Sequence, residues 1–105
     1  MADTHILTAD DNGSRIALGV GETFLLEFEQ NPTTGYLWQI EPTDGVLDVV
    51  TDDFTPAEGI GAGGLRRIRF ACKEPGHLTL RLSLAREWDR ENPLKSWSAD
   101  VTVLP

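Results

Sequence analysis

The chain has one cysteine (Cys72), two histidines and no long apolar run. One cysteine cannot close an internal disulfide, and with two histidines it cannot fill a structural zinc site, so neither metal nor cofactor is expected. No apolar stretch approaches the ~18 residues of a membrane span, which argues against a membrane partner. Bases are scarce: 9 Lys and Arg stand against 17 Asp and Glu, for a net charge of -8. An acidic chain repels phosphate backbones unless it concentrates its cations, so no nucleic-acid partner is expected. The residues of catalysis are missing as well. His5 and His77 lie near strand ends without an evident nucleophile, no serine sits in a nucleophile elbow, and the acids are scattered. The chain does not read as an enzyme.

What is present is an ordinary globular composition, 40% hydrophobic and 25% charged, over 105 residues. That length suits one domain, 1–105, read as a monomer because nothing in it demands an obligate dimer. Met1-Ala2-Asp3-Thr4-His5 has neither the basic start nor the apolar core of a signal peptide. As written the chain reads as cytoplasmic, or as periplasmic or secreted if a signal segment was removed. The charge is uneven along the chain: twelve acids and one arginine up to Glu58, then five acids and eight bases from Gly59 onward. Such an acidic first half would steer a positively charged partner, or serve only solubility.

The dominant period is two. Phe24, Leu26 and Phe28 alternate with Leu25, Glu27 and Glu29; Tyr36, Trp38 and Ile40 alternate with Leu37, Gln39 and Glu41. Ile68, Phe70 and Cys72 form a third series, Leu78 to Leu84 a fourth, and Trp97 to Val103 a fifth. Each reads as a strand with one buried and one wet face. Shorter strands are expected at 4–8, 15–18 and 46–51, with turns at Asp11-Asn12-Gly13, Pro42-Thr43-Asp44-Gly45 and Glu74-Pro75-Gly76. No window carries a capped amphipathic helix. Seven to eight short strands predict an all-β fold, an immunoglobulin-like antiparallel β-sandwich. In it Cys72 is a small buried hydrophobe.

Three connections are longer than a hairpin needs: 30–35, 52–64 and 86–94. In a sandwich, loops separated by pairs of strands emerge at the same end, so these three can form one surface. The first contains Asn31-Pro32-Thr33-Thr34-Gly35-Tyr36. Pro32 fixes its own φ and holds Asn31 extended, and Gly35 can adopt a positive φ. The outcome is a stiff turn offering two hydroxyls and backbone amides, suited to a cleft, or else an ordinary turn. The second holds Gly59-Ile60-Gly61-Ala62-Gly63-Gly64, which matches G-x-G-x-x-G. A strand rather than a helix follows, so a dinucleotide site is excluded; the glycines let backbone lie flat against a partner. The third, Arg86-Glu87-Trp88-Asp89, places Trp88 either exposed as an interface anchor or folded over the sheet edge.

These three loops, in this order, resemble the chagasin-type inhibitors of papain-like cysteine proteases. Asn31 to Tyr36 match the family's N-P-T-T-G-[YF] loop, with Trp38 following; Gly61-Ala62-Gly63-Gly64 match G-x-G-G; Arg86-Glu87-Trp88 correspond to R-P-W with Glu87 in place of proline. The resemblance implies reversible, non-covalent occlusion of a protease cleft by loops 30–36, 59–65 and 86–94. It places Thr33 and Thr34 over the catalytic cysteine and histidine, Ile60 and Gly61 to Gly64 along one side, and Arg86 and Trp88 on the other. The partner implied is a papain-like cysteine protease. The competing expectation is a carbohydrate-binding or adhesion module that uses Trp38, Trp88 and Trp97 as an aromatic platform.

Overall fold

The computed structural model describes residues 5–58 and 63–105. Eight strands form two four-stranded sheets: β1 (His5–Thr8), β2 (Ser14–Gly19), β3 (Thr23–Gln30), β4 (Tyr36–Ile40), β5 (Leu47–Pro56), β6 (Gly64–Cys72), β7 (Gly76–Arg86) and β8 (Lys95–Leu104). The first sheet runs β1-β3-β6-β5 and the second β2-β8-β7-β4. Two features depart from a purely antiparallel sandwich, because β1 pairs parallel with β3 and β2 parallel with β8. The Asn12-Gly13 turn explains why: it carries the chain from one sheet to the other instead of closing a hairpin. Gly13 takes φ +85°, its N–H donates to the Ser98 carbonyl at 2.8 Å, and the Asn12 side chain accepts from the Ser98 N–H at 2.9 Å.

The inward residues are those the period of two selects. Phe24, Leu26, Phe28, Ile68, Phe70, Cys72, Leu80, Leu82, Ala99 and Val101 are all buried between the sheets. Each large side chain so placed contributes about 1.5–3 kcal/mol. Phe28 sits at the centre of an aromatic group, stacked on Trp38 at 4.7 Å and edge-on to Trp97 at 5.2 Å. Both indoles keep their N–H satisfied, as buried tryptophans must: Trp38 donates to the Glu29 carbonyl at 3.2 Å and Trp97 to the Thr8 carbonyl at 3.0 Å. Two outward residues, Leu25 and Ala85, differ from expectation. Leu25 is buried despite its position, with Ile6 and Arg69 beside it on the neighbouring strands.

The expected loop 52–64 is shorter than predicted: residues 52–56 and Gly64 belong to strands. β5 continues to Pro56, paired with β6 as far as Pro56 opposite Gly64, with a bulge between Val49 and Thr51. Polar residues hid this extension, because β5 is an edge strand with a largely exposed surface. Asp52 lies opposite Ile68 and Asp53 opposite Arg67. The same pairing sets some acids of the first half beside bases of the second. Acidic β3 and β5 flank basic β6, so that Arg67 lies between Glu27 and Asp53 across the ladder, with Glu27 3.5 Å away. Lys73 approaches Asp48 at 3.9 Å. The charge asymmetry along the chain becomes cross-strand pairing in space.

Candidate functional site

The register puts the three loops at one end. Gln30, the last residue of β3, lies opposite Gly64, the first of β6, and Gly64 lies opposite Pro56, the last of β5. In the second sheet Tyr36 begins β4 opposite Arg86, the last of β7, while Leu84 pairs with Lys95 at the start of β8. The loop boundaries are therefore tighter than the sequence suggested: Gln30, Tyr36, Gly64, Leu65 and Arg86 belong to strands. The first loop crosses from one sheet to the other. The second is a hairpin within the first sheet, and the third a hairpin within the second. The crossing loop stands between two hairpins, with a hollow of about 990 Å³ bounded by Asn31, Thr34, Tyr36, Pro56, Arg86 and Leu94.

The first loop is a short 3-10 turn, Pro32–Thr34, and its hydrogen bonds account for its shape. The Asn31 side chain accepts from the Thr33 N–H at 3.2 Å and from the Thr33 hydroxyl at 2.6 Å. The Thr34 hydroxyl donates to the Asn31 carbonyl at 2.8 Å and accepts from the Tyr36 N–H at 3.2 Å. Gly35, at φ +81°, closes the turn by donating to the Pro32 carbonyl at 3.0 Å. The two hydroxyls expected to be offered at the tip are thus committed inside the turn as donors. What the exposed tip of Pro32, Thr33 and Thr34 presents is a fixed shape with methyl groups and hydroxyl lone pairs.

The third loop braces the first. The Arg86 guanidinium donates to the Thr34 carbonyl at 3.3 Å, lies 4.4 Å from the centre of the Tyr36 ring and 5.8 Å from that of Trp88. Such cation–π contacts contribute about 0.5–1 kcal/mol each at exposed sites. Arg86 to Asp89 form a turn, the Asp89 N–H donating to the Arg86 carbonyl at 3.0 Å, with Glu87 and Trp88 at its two central positions. Trp88 is 76% exposed, while its ring edge covers Gly35. It is the most exposed large hydrophobe described, and it leans on the neighbouring loop rather than folding over the sheet edge. Trp38 and Trp97, at 5% and 2% exposure, lie in the core, so the aromatic platform does not exist.

Of the second loop, Gly63 and Gly64 are described, and Ile60, Gly61 and Ala62 lie outside the described residues. The two glycines have a structural reason beyond offering flat backbone. A Cβ at Gly64 would collide with the Thr55 carbonyl and the Phe54 ring, and one at Gly63 would meet the Gln30 carbonyl at 2.9 Å. They let β3 and β5 close on the start of β6.

Two further residues shape this end and were passed over by motif reasoning: Gln30 and Arg66. The periodicity did mark them. Gln30 is the next inward position after Phe24, Leu26 and Phe28, and Arg66 the one before Ile68, Phe70 and Cys72. Among the described residues no group of histidines, cysteines and acids is disposed to hold a metal. Burial, and secondarily the charge of Glu22, push the Cys72 thiol upward, which keeps it protonated and unreactive.

The chain is an immunoglobulin-like sandwich carrying a braced loop cluster at one end. Residues 17–103 match the chagasin family of peptidase inhibitors (I42), and the chain belongs to that family. It is 33% identical to amoebiasin-1 of Entamoeba histolytica, over 92% of this chain and 97% of that protein. It is 29% identical to chagasin of Trypanosoma cruzi, over 81% and 84% of the two chains. Its fold superposes on the crystal structure of the cysteine protease inhibitor EhICP2 of Entamoeba histolytica with a TM-score of 0.83, 26% identity and coverage of 95% and 94%. The family and these relatives are inhibitors rather than enzymes.

Proposed function

We propose that this chain, as one inhibitor domain spanning 1–105, occludes the active-site cleft of papain-like cysteine proteases reversibly and without covalent chemistry. The supporting observation is the construction of the loop end: a crossing turn stiffened by its own hydrogen bonds, flanked by two hairpins. A loop already held in its bound shape loses little entropy on insertion. Thr33 and Thr34 sit over the catalytic cysteine and histidine. The segment from Ile60 through Gly61, Ala62, Gly63 and Gly64 lies along one side of the cleft, and Arg86 with Trp88 along the other. Asn31, Pro32, Gly35 and Tyr36 hold the turn. Its 3-10 backbone, fixed by Pro32 and Gly35, withholds a scissile bond from the geometry that attack requires, so the inhibitor is not consumed.

The test is titration of papain and a cathepsin-L-like enzyme with the purified protein. Stoichiometric loss of activity, recovered on dilution, is expected. A combined Thr33→Ala/Thr34→Ala variant weakens inhibition, whereas Cys72→Ser leaves it intact in folded protein. Absence of inhibition of either enzyme at high micromolar concentration overturns the assignment.

A further inference from the structure

At the loop end the sandwich interior turns from apolar to polar, and the change is confined to one network. The Arg66 side chain, 16% exposed, comes from the central strand β6 and points inward. Its Nε and Nη2 donate to the two carboxylate oxygens of Asp52 at 2.9 and 2.8 Å. Its Nη1 donates to the Trp38 carbonyl at 2.6 Å and to the Gln30 side-chain carbonyl at 3.1 Å. That same Gln30 oxygen accepts the Trp38 N–H at 2.9 Å. β4 is the edge strand of the second sheet, paired with β7 on one side only, so the backbone groups on its other side have no neighbouring strand to bond. Both polar groups of the Trp38 backbone are instead taken by side chains of the first sheet.

The location gives this network its consequence. Gln30 is the residue immediately before the first loop, and Trp38 lies two residues beyond Tyr36, where the loop rejoins a strand. The two ends of the loop belong to different sheets, and sheets that pack through side chains alone can slide. We propose that Arg66 and Gln30 are positioning residues for inhibition: they lock the two roots of the first loop to each other and thereby fix the attitude of Pro32, Thr33 and Thr34. Stability alone gives no reason for the arrangement, since Asp52 is exposed and an ion pair open to solvent on one side contributes little. A directional network at a loop root sets register, which an apolar substitute does not. The inference rests on the inhibitor assignment above for its functional arm and is independent of it for its structural arm.

The experiment compares wild type with Arg66→Met, Gln30→Leu and Gln30→Glu. Arg66→Met removes the whole fork. Gln30→Leu removes the shared acceptor but leaves the Arg66–Asp52 pair, which guards against a variant that fails to fold. Gln30→Glu keeps the acceptor. Backbone order parameters of Thr33, Thr34 and Gly35 in the free protein are expected to fall from the rigid range near ~0.85 towards the flexible range below ~0.6 in Arg66→Met, less so in Gln30→Leu. Those of Leu80 and Val101 stay unchanged. The inhibition constant for papain rises about tenfold or more in Arg66→Met and stays within about threefold of wild type in Gln30→Glu. Unchanged loop order parameters in both Arg66→Met and Gln30→Leu overturn the proposal, as does loosening spread equally to Leu80 and Val101. If wild type does not inhibit papain, the assignment of function falls, and the order parameters alone decide whether Arg66 and Gln30 position the loop.

Discussion

Gly35 and Trp88 meet edge to backbone: a methyl group on Gly35 would stand 2.9 Å from Cη2 of the indole. Two loops that connect different strands therefore share one surface, and the glycine serves both as the turn's positive-φ residue and as the seat of the tryptophan. Gly35→Ala violates both conditions. The backbone cost alone is about 1–2 kcal/mol, which for a domain of this size lowers the thermal midpoint by roughly 4–8 °C per kcal/mol. Loss of affinity for papain is expected to exceed what the stability change explains, because Trp88 must also move. A scanning calorimetry trace paired with an inhibition constant separates the two.

Trp88→Ala isolates the other partner. A side chain 76% exposed contributes little to folding, so stability is expected to change by no more than about 0.5 kcal/mol. Aromatic anchors at interfaces carry ≥ 2 kcal/mol, about 30-fold in affinity. The loss is expected as faster dissociation, since related interfaces differ mainly in that rate. An unchanged off-rate in a surface binding assay removes Trp88 from the interface.

Much of this arrangement was legible in the sequence, and the reason is periodicity. Alternation of Phe24-Leu26-Phe28 and of Ile68-Phe70-Cys72 identified strands and their inner faces, because burial on one side selects every second residue. The same rule pointed at Gln30 and Arg66, but a polar residue at a buried position reads as the end of a pattern until its partners are known. The extension of β5 through Asp52, Asp53 and Pro56 was illegible for another reason. An edge strand exposed on most of its surface has no inner face to be selected, so its residues look like those of a loop. Which loop would lean on which was equally hidden, since the Arg86 contacts with Thr34 and Tyr36 span about fifty positions of chain.

Glu87 occupies the first central position of the turn from Arg86 to Asp89, where proline is favoured. The residue before it, Arg86, is already in a strand, as the residue before a proline should be. Glu87→Pro is expected to stabilise the protein by about 0.4–1 kcal/mol by restricting the unfolded chain. It also slows dissociation from papain by holding Trp88 in place. A lowered denaturation midpoint in urea would show that the turn needs a conformation closed to proline.

Asn31 binds both the N–H and the hydroxyl of Thr33 through one side-chain oxygen. Asn31→Ala is expected to cost about 1 kcal/mol, the usual value of such a cap, and to weaken inhibition by releasing Thr33. Asn31→Asp retains the acceptor and is expected to preserve both properties. Equal losses in the two variants would show that the amide nitrogen, not the oxygen, does the holding.

Cys72 is predicted to resist alkylation. Burial, then the neighbouring Glu22 carboxylate, raise its thiol above the ordinary range, so the fold favours the neutral form. The stability this contributes is present at neutral pH and is lost as pH climbs past the value of an unfolded thiol. Native protein at pH 7.5 should react with a thiol reagent far more slowly than urea-unfolded protein. In Cys72→Ala the alkaline decline in thermal midpoint should be shallower.

Because the first loop is the only one of the three that passes between sheets, its length is set by a gap of about 10 Å that the core dictates. The hairpins on either side answer to no such span: each returns to the sheet it left, and residues can be added or removed there without altering how the sheets pack. The molecule thus separates a crossing turn of fixed span from two hairpins of adjustable length. On the proposed mode of inhibition, selectivity among clefts of different width would be set by the outer pair, while the crossing turn and its scaffold stay the same.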